Sequence, residues 1–106
     1  MTGPHISSFD ALTLPTAYGI LALRAEVFVV EQDCPYQDLD GKDADCLHLW
    51  YQEGEDILAY ARLLPPGLSY PEAGIGRVVT SSTHRRTGLG KVLMAEAIAR
   101  TRKEWP

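Results

Sequence analysis

The chain predicts an α+β fold: a central, mostly antiparallel sheet of about four strands with two main helices. Three stretches carry that expectation. Ile75–Met94 reads as a strand, a turn rich in Arg and Gly, then the start of a helix. Leu47–Leu63 reads as a β-hairpin, and the apolar run from Thr13 to Glu31 as a long helix. At 106 residues the chain has room for one domain, which would bury roughly 60% of its unfolded surface.

In chain order, His5–Phe9 offers a short first strand with Ile6 as its apolar anchor. Thr13 then fits a helix N-cap, with Pro15 in the first turn. That helix should run to Val30 or Glu31, with Tyr18, Leu21, Ala25, Phe28 and Val29 on its inward face. Ala22, Arg24 and Glu26 support it by propensity, while Gly19 weakens it by about 1 kcal/mol relative to Ala. Pro35 stops any continuation. The hairpin pairs Leu47–Tyr51 with Ile57–Leu63 across the polar connection Gln52-Glu53-Gly54-Glu55-Asp56. Leu47, Leu49 and Tyr51 share one face of its first strand, and His48 and Trp50 the other; on the second, Leu58, Tyr60 and Arg62 alternate with Ile57, Ala59, Ala61 and Leu63. Pro65-Pro66-Gly67 ends it. Ile75, Val78 and Val79 mark the next strand, and the last helix spans Gly88–Lys103, with Leu89, Val92, Leu93 and Ala97 at helical spacing and Arg100, Arg102 and Lys103 at its C-terminal end. Trp50 and Trp105 read as core anchors.

Between the first helix and the hairpin lies a loop dense in carboxylates, with Asp38, Asp40, Asp43 and Asp45 around Gly41. It does not fit an EF-hand: placing Gly41 sixth puts Tyr36 first and Leu47 twelfth, where acidic ligands belong. Composition favours a solvated acidic loop. His5 and His84 have no partner at metal-ligand spacing, and no metal is expected. Cys34 and Cys46 lack a C-x-x-C spacing and read as small buried or half-buried thiols.

The turn at 85–91 is the most informative stretch. Gly88 and Gly90 leave no side chain over the helix start, so a polyanion could approach free backbone N–H groups at the positive end of the helix dipole. Arg85, Arg86 and Lys91 add charge of the same sign, and no acid intervenes between Arg77 and Glu96. Phosphate or pyrophosphate is the ligand this chemistry suits. A tight turn with merely solvated arginines would look similar. The stretch is neither a Walker loop, having no Gly-Lys-Ser/Thr end, nor a dinucleotide fingerprint, having Arg85 where its first glycine belongs. With a net charge of −4 the chain is not a general nucleic-acid binder, which makes the local cationic loop more telling.

Arg85-Arg86-Thr87-Gly88-Leu89-Gly90 resembles the R-x-x-G-x-G signature of the GNAT superfamily of N-acetyltransferases. The V-x-P that usually precedes it is absent, Thr80-Ser81-Ser82 standing there instead. Val27–Asp43, with His48 soon after, is similar to the ElaA-like branch of that superfamily, so the resemblance runs from about Leu21 to the C-terminus. It implies acetyl-coenzyme A as co-substrate. The coenzyme would be held by Val78, Val79 and Thr80 of the strand and by Arg85, Arg86, Thr87, Gly88, Leu89, Gly90 and Lys91 of the loop. A strand N–H near Val79 or Thr80 would stabilise the oxyanion of acetyl transfer to a primary amine. Glu31 and His48 are the candidates for the base, each weighed against a purely structural role. The acidic loop would border the acceptor and draw a cationic amine.

The resemblance also implies a further strand, a helix and a closing strand pair, which are expected beyond Pro106 and would carry the usual thiol-protonating Tyr. The chain therefore reads as a single, incomplete GNAT-like domain over residues 1–106. Two alternatives to an active enzyme stay open: a catalytically impaired coenzyme-binding module, and a fragment that needs a second chain. An apolar strand edge left unpaired would invite a homodimer. No signal-like leader or membrane-length apolar run is seen, so a cytoplasmic location is expected, with no membrane or nucleic-acid partner.

Overall fold

In the computed structural model, covering residues 1–106, four strands form one sheet. They are β1 (Thr2–Ser8), β2 (Leu47–Glu53), β3 (Asp56–Leu64) and β4 (Gly74–Thr80), in that spatial order and all antiparallel. Helix α1 (Leu14–Ala25) continues as a wider π-helical turn over Glu26–Glu31, and α2 spans Leu89–Glu104. The two helices cover opposite faces of the sheet. On one face Leu49, Tyr51, Ala59, Ala61 and Leu63 pack against Leu89, Leu93 and Ala97 of α2. On the other Trp50, Ile57, Tyr60 and Val79 pack against Ile20, Leu23 and Val27 of α1 and its extension. Alternation along β2 produces both layers, as the sequence pattern requires.

Several expectations need correction. The first strand begins earlier than His5, and Phe9 sits in a short 3₁₀ turn after it. On β3, Leu58 joins the α2 side and Ile57 the α1 side, because a register shift opposite Tyr51–Gln52 inverts the facing at that end. On α2, Val92 is half exposed while Leu89, Leu93 and Ala97 carry the contact. Cys34 is exposed; Cys46 is buried, and burial pushes its thiol up to about 11.

The largest correction is the face of α1. Its buried residues are Ile20, Leu23 and Arg24, joined by Val27 of the extension, whereas Tyr18 is 77% exposed. The helix is apolar nearly all round, so periodicity could not choose a face, and the buried one includes Arg24, which meets carboxylates from a distant loop. The N-terminus is as expected: Thr13 Oγ1 accepts the Thr16 N–H at 3.3 Å, and Pro15 lies in the first turn. Gly19 has a packing reason to be small. A Cβ there would lie 3.0 Å from Ile57 Cγ1, so its absence lets α1 close on β3.

On β4, Gly76 pairs with Arg62 and Val79 with Tyr60, so Arg77 and Val78 together face Ala61 alone. This bulge turns the strand over: Ile75 packs toward α2, whereas Val79 packs toward α1. Arg77 at its centre has φ +50°.

Candidate functional site: an open helix start and a closed ion-pair ring

Beyond β4 the chain makes a 3₁₀ turn at Ser82–His84, then passes Arg86 at φ +67° and Gly88 at φ +87° into α2. Gly88 occupies the N-cap and supplies no side-chain cap. Thr87 Oγ1 donates to His84 O at 2.7 Å and accepts the Leu89 N–H at 3.4 Å. The N–H groups of Gly88, Gly90 and Lys91 have no acceptor within the protein. Nothing lies within 4 Å of where a Gly88 Cβ would project. The donors are thus uncovered, at the positive end of a 16-residue helix. Arg86 and Lys91 are exposed and enter no hydrogen bond or ion pair within the protein, leaving two unneutralised cations beside them. Leu89 turns inward as a core residue.

Arg85 is placed differently. Its guanidinium grips the Glu31 carboxylate with both terminal nitrogens, and its Nε donates to Thr80 O at 3.3 Å. That pairing holds the Glu31 carboxyl below its ordinary range. It also ties the loop to the end of the α1 extension, so Glu31 stands beside the predicted coenzyme loop.

His48 lies 2% exposed under α1. Its Nε2–H donates to Asp43 O at 2.9 Å, which fixes the tautomer and leaves Nδ1 to accept from the Tyr60 hydroxyl at 2.6 Å. Burial lowers its pKa. Both ring nitrogens are occupied, and Glu31 and His48 are not brought together.

Val78, Val79 and Thr80 lie on the edge strand β4, whose outer side is paired with no other strand of the chain. Ser81 N–H donates inward to Leu58 O at 2.7 Å. Strand residues alternate in direction, so Val79 faces β3 while Thr80 and Val78 turn their N–H groups to the open edge.

A second charged assembly went unread in the sequence. Arg24, Arg62 and Arg77, each a lone arginine in an apolar element, converge on the acidic loop. Arg24 reaches Asp38 and Asp43 at 2.9 and 2.7 Å, Arg62 reaches Asp43 and Asp40 at 3.1 and 2.7 Å, and Arg77 reaches Asp40 and Asp38 at 3.4 and 2.8 Å. The six side chains close into an alternating ring with no net charge. The Nε atoms of Arg24 and Arg77 approach Asp38 off the N–H direction, so those are charge contacts rather than hydrogen bonds. Arg62 grips Asp40 with both terminal nitrogens and holds its carboxyl well below the usual carboxylate range. Burial pushes the Asp43 carboxyl up, but Arg24 and Arg62 more than offset this, and it too is lowered. The loop is therefore not a solvated acidic surface; only Asp45 remains exposed and unpaired. A field drawing cationic amines is largely cancelled at its source.

Comparison with known proteins settles the family. Residues 17–104 match the acetyltransferase (GNAT) family. The chain belongs to that family. It is 41% identical over 99 residues to a UPF0039 protein of Synechocystis, covering 92% of this chain and 64% of that protein. It is 38% identical over 97 residues to the protein ElaA of Escherichia coli, covering 90% of this chain and 63% of ElaA. The chain thus spans a little under two thirds of these relatives' length. Among solved structures, an acyl-CoA N-acyltransferase from Pseudomonas aeruginosa superposes with a TM-score of 0.91 at 44% identity, over 97% of this chain and 72% of that one. The crystal structure of E. coli ElaA gives 0.93 at 35% identity, over 100% of this chain and 73% of ElaA. This GNAT chain has the acyltransferase fold, and no helix in it is long and apolar enough to cross a membrane.

Proposed function

We propose that this GNAT chain transfers an acetyl group from acetyl-coenzyme A to a primary amine. The observation that carries the reading is the uncovered set of N–H groups at Gly88, Gly90 and Lys91, flanked by the free cations of Arg86 and Lys91. Fixed donors at a helix N-terminus suit a diphosphate. Arg85, Thr87 and Leu89 shape the loop around them. The acyl arm runs back along Val78, Val79 and Thr80. The carbonyl oxygen is met by the outward N–H of Thr80 or Val78, since that of Val79 is directed to β3. The amine nitrogen attacks the thioester carbon, the C–N bond forms, the C–S bond breaks, and the thiolate takes up a proton as the amine loses one. Of the two base candidates Glu31 is the better placed, being exposed and released once Arg85 turns to phosphate; His48 keeps its structural hydrogen bonds.

Calorimetric titration with acetyl-coenzyme A tests this reading: micromolar binding in the parent and its loss in Gly90→Asp support it. A Cβ at Gly90 meets nothing closer than Thr80 Oγ1 at 3.5 Å, so that loss would come from charge and blocked access rather than misfolding. Equal affinity in parent and variant would overturn the loop assignment.

A second reading, a coenzyme-binding module that turns over only when another chain completes the site, is favoured by one observation: the outer edge of β4 is unpaired. A homodimer through that edge belongs to it. Specific activity rising with protein concentration, alongside a dimer in sedimentation, would favour it; activity proportional to concentration in a monomer would exclude it.

A further inference from the structure

We propose that Arg77 is a positioning residue for the acyl end of the site: its guanidinium, held by Asp38 and Asp40, fixes the β4 bulge that turns the Val78 and Thr80 N–H groups to the open edge. This rests on the acyl-coenzyme A reading above.

Arg77 has φ +50°, a left-handed conformation that is unfavourable for an L-residue with a Cβ. No glycine relieves that cost here, so other contacts must hold the backbone there. They are on its side chain. Nε lies 2.8 Å from Asp38 Oδ1, one terminal nitrogen donates to Asp38 O at 3.0 Å, and the same nitrogen is 3.4 Å from Asp40 Oδ2. The guanidinium also sits 5.7 Å from the centre of the Tyr36 ring. These anchors are themselves immobilised, Asp38 by Arg24 and Asp40 by the fork of Arg62. The ring therefore supplies a fixed point to which β4 is tied at one residue.

The consequence lies one and three residues along the strand, at Val78 and Thr80. Ile75 and Val79 are four apart and would share a face in a regular strand, yet they pack on opposite faces. The extra residue at 77–78 produces that inversion. It also sets which N–H groups meet β3 and which meet the edge, because a one-residue slip reverses every one of them. With Ser81 bonded to Leu58, the bulged register leaves Thr80 and Val78 outward, where a thioester carbonyl would lie.

The test compares Arg77→Leu with Arg77→Gly. Both break the same ion pairs. Only leucine keeps the cost of the left-handed conformation, since glycine adopts positive φ freely. Amide-resolved NMR is recorded on the parent and both variants with coenzyme A and with acetyl-coenzyme A. In the parent and Arg77→Gly, the acetyl form alone should shift the Thr80 or Val78 amide proton downfield. In Arg77→Leu that acetyl-dependent shift should vanish while the Gly88 and Gly90 amides respond as before. Should Arg77→Leu not fold, Arg77→Lys replaces it; an ammonium has no second nitrogen to face Asp38 Oδ1 while the first holds Asp38 O and Asp40, so the shift should shrink. An unchanged shift in the leucine or lysine variant overturns the proposal and leaves the coenzyme reading intact. Equal loss in the leucine and glycine variants also overturns it, because the ring would then act only through general stability. No response at Gly88 and Gly90 in the parent overturns both.

Discussion

The same residue type does opposite work at two places in this molecule. At the acidic loop, Arg24, Arg62 and Arg77 face Asp38, Asp40 and Asp43 one for one, and Arg24 is fully buried. At the start of α2, Arg86 and Lys91 face solvent with no counter-ion, beside donors that nothing in the chain accepts. The first arrangement has its electrostatics satisfied internally and acts on the fold. The second is left unsatisfied and is suited to an external anion. Charge by itself did not distinguish them; what each charge touches does. Arg85 stands between the two regimes, bound to the chain through Glu31 yet exposed.

Perturbations should separate the regions, the largest effect coming from the ring. Asp43 serves both Arg24 and Arg62, so Asp43→Ala leaves two buried guanidiniums short of a partner. Chemical denaturation should show a loss of about 3–5 kcal/mol, the usual cost of stranding a buried charge. If coenzyme affinity in the folded variant were unchanged, the separation would be sharpened.

Gly90→Asp should do the reverse. A carboxylate in the first turn of α2 complements the helix dipole, so folding stability should hold or rise by about 0.3–1 kcal/mol. Coenzyme affinity should nevertheless fall at least thirtyfold, about 2 kcal/mol, through like-charge repulsion and the covered donors. A parallel fall in stability would mean the loop is structural after all.

How much of this was legible beforehand follows the same division. The hairpin and the strand-turn-helix, with Gly88 at the helix start, rest on local rules of alternation, glycine placement and helix starts, and they appear where those rules put them. The inward face of α1 does not. Its choice depends on Arg24 meeting Asp38 and Asp43, partners 14 and 19 residues away that no local period encodes. The β4 bulge was invisible for a related reason: Arg77 is not a residue that announces positive φ. A hint was available in three arginines set singly among apolar residues, opposite a D-x-D-x-x-D run. His48 shows the limit of reading one residue at a time, since its tautomer is fixed by a carbonyl and a hydroxyl on different elements.

The pH response should reside in the ring region. The folded His48 imidazole is harder to protonate than the unfolded one. Below about pH 6.5 the unfolded state therefore binds more protons, and stability should drop as pH falls. Asp40 and Asp43 act in the same direction further down. Held ionised in the folded protein, they lose their contribution as pH falls below about 4, where unfolded carboxylates take up protons. Denaturation midpoints between pH 7 and pH 3 should thus decline in two limbs, and His48→Gln should flatten only the upper one.

The smallest effect expected is at the exposed pair. Glu31→Gln frees Arg85 and removes an anion near the loop, so coenzyme affinity should rise by roughly two- to threefold, as for other rim charges. Turnover should fall if Glu31 is the base. Unchanged turnover with tighter binding would leave Glu31 as an electrostatic brake alone.

The central claim, that the bare start of α2 exists to hold a diphosphate, is tested most directly by titrating the labelled protein with coenzyme A and following its amide signals. The Gly88, Gly90 and Lys91 amides should shift most and saturate at micromolar ligand, while the side-chain signals of Arg24 and Arg62 stay still. Silent signals at those three positions, with the ring or any other surface responding instead, would contradict it.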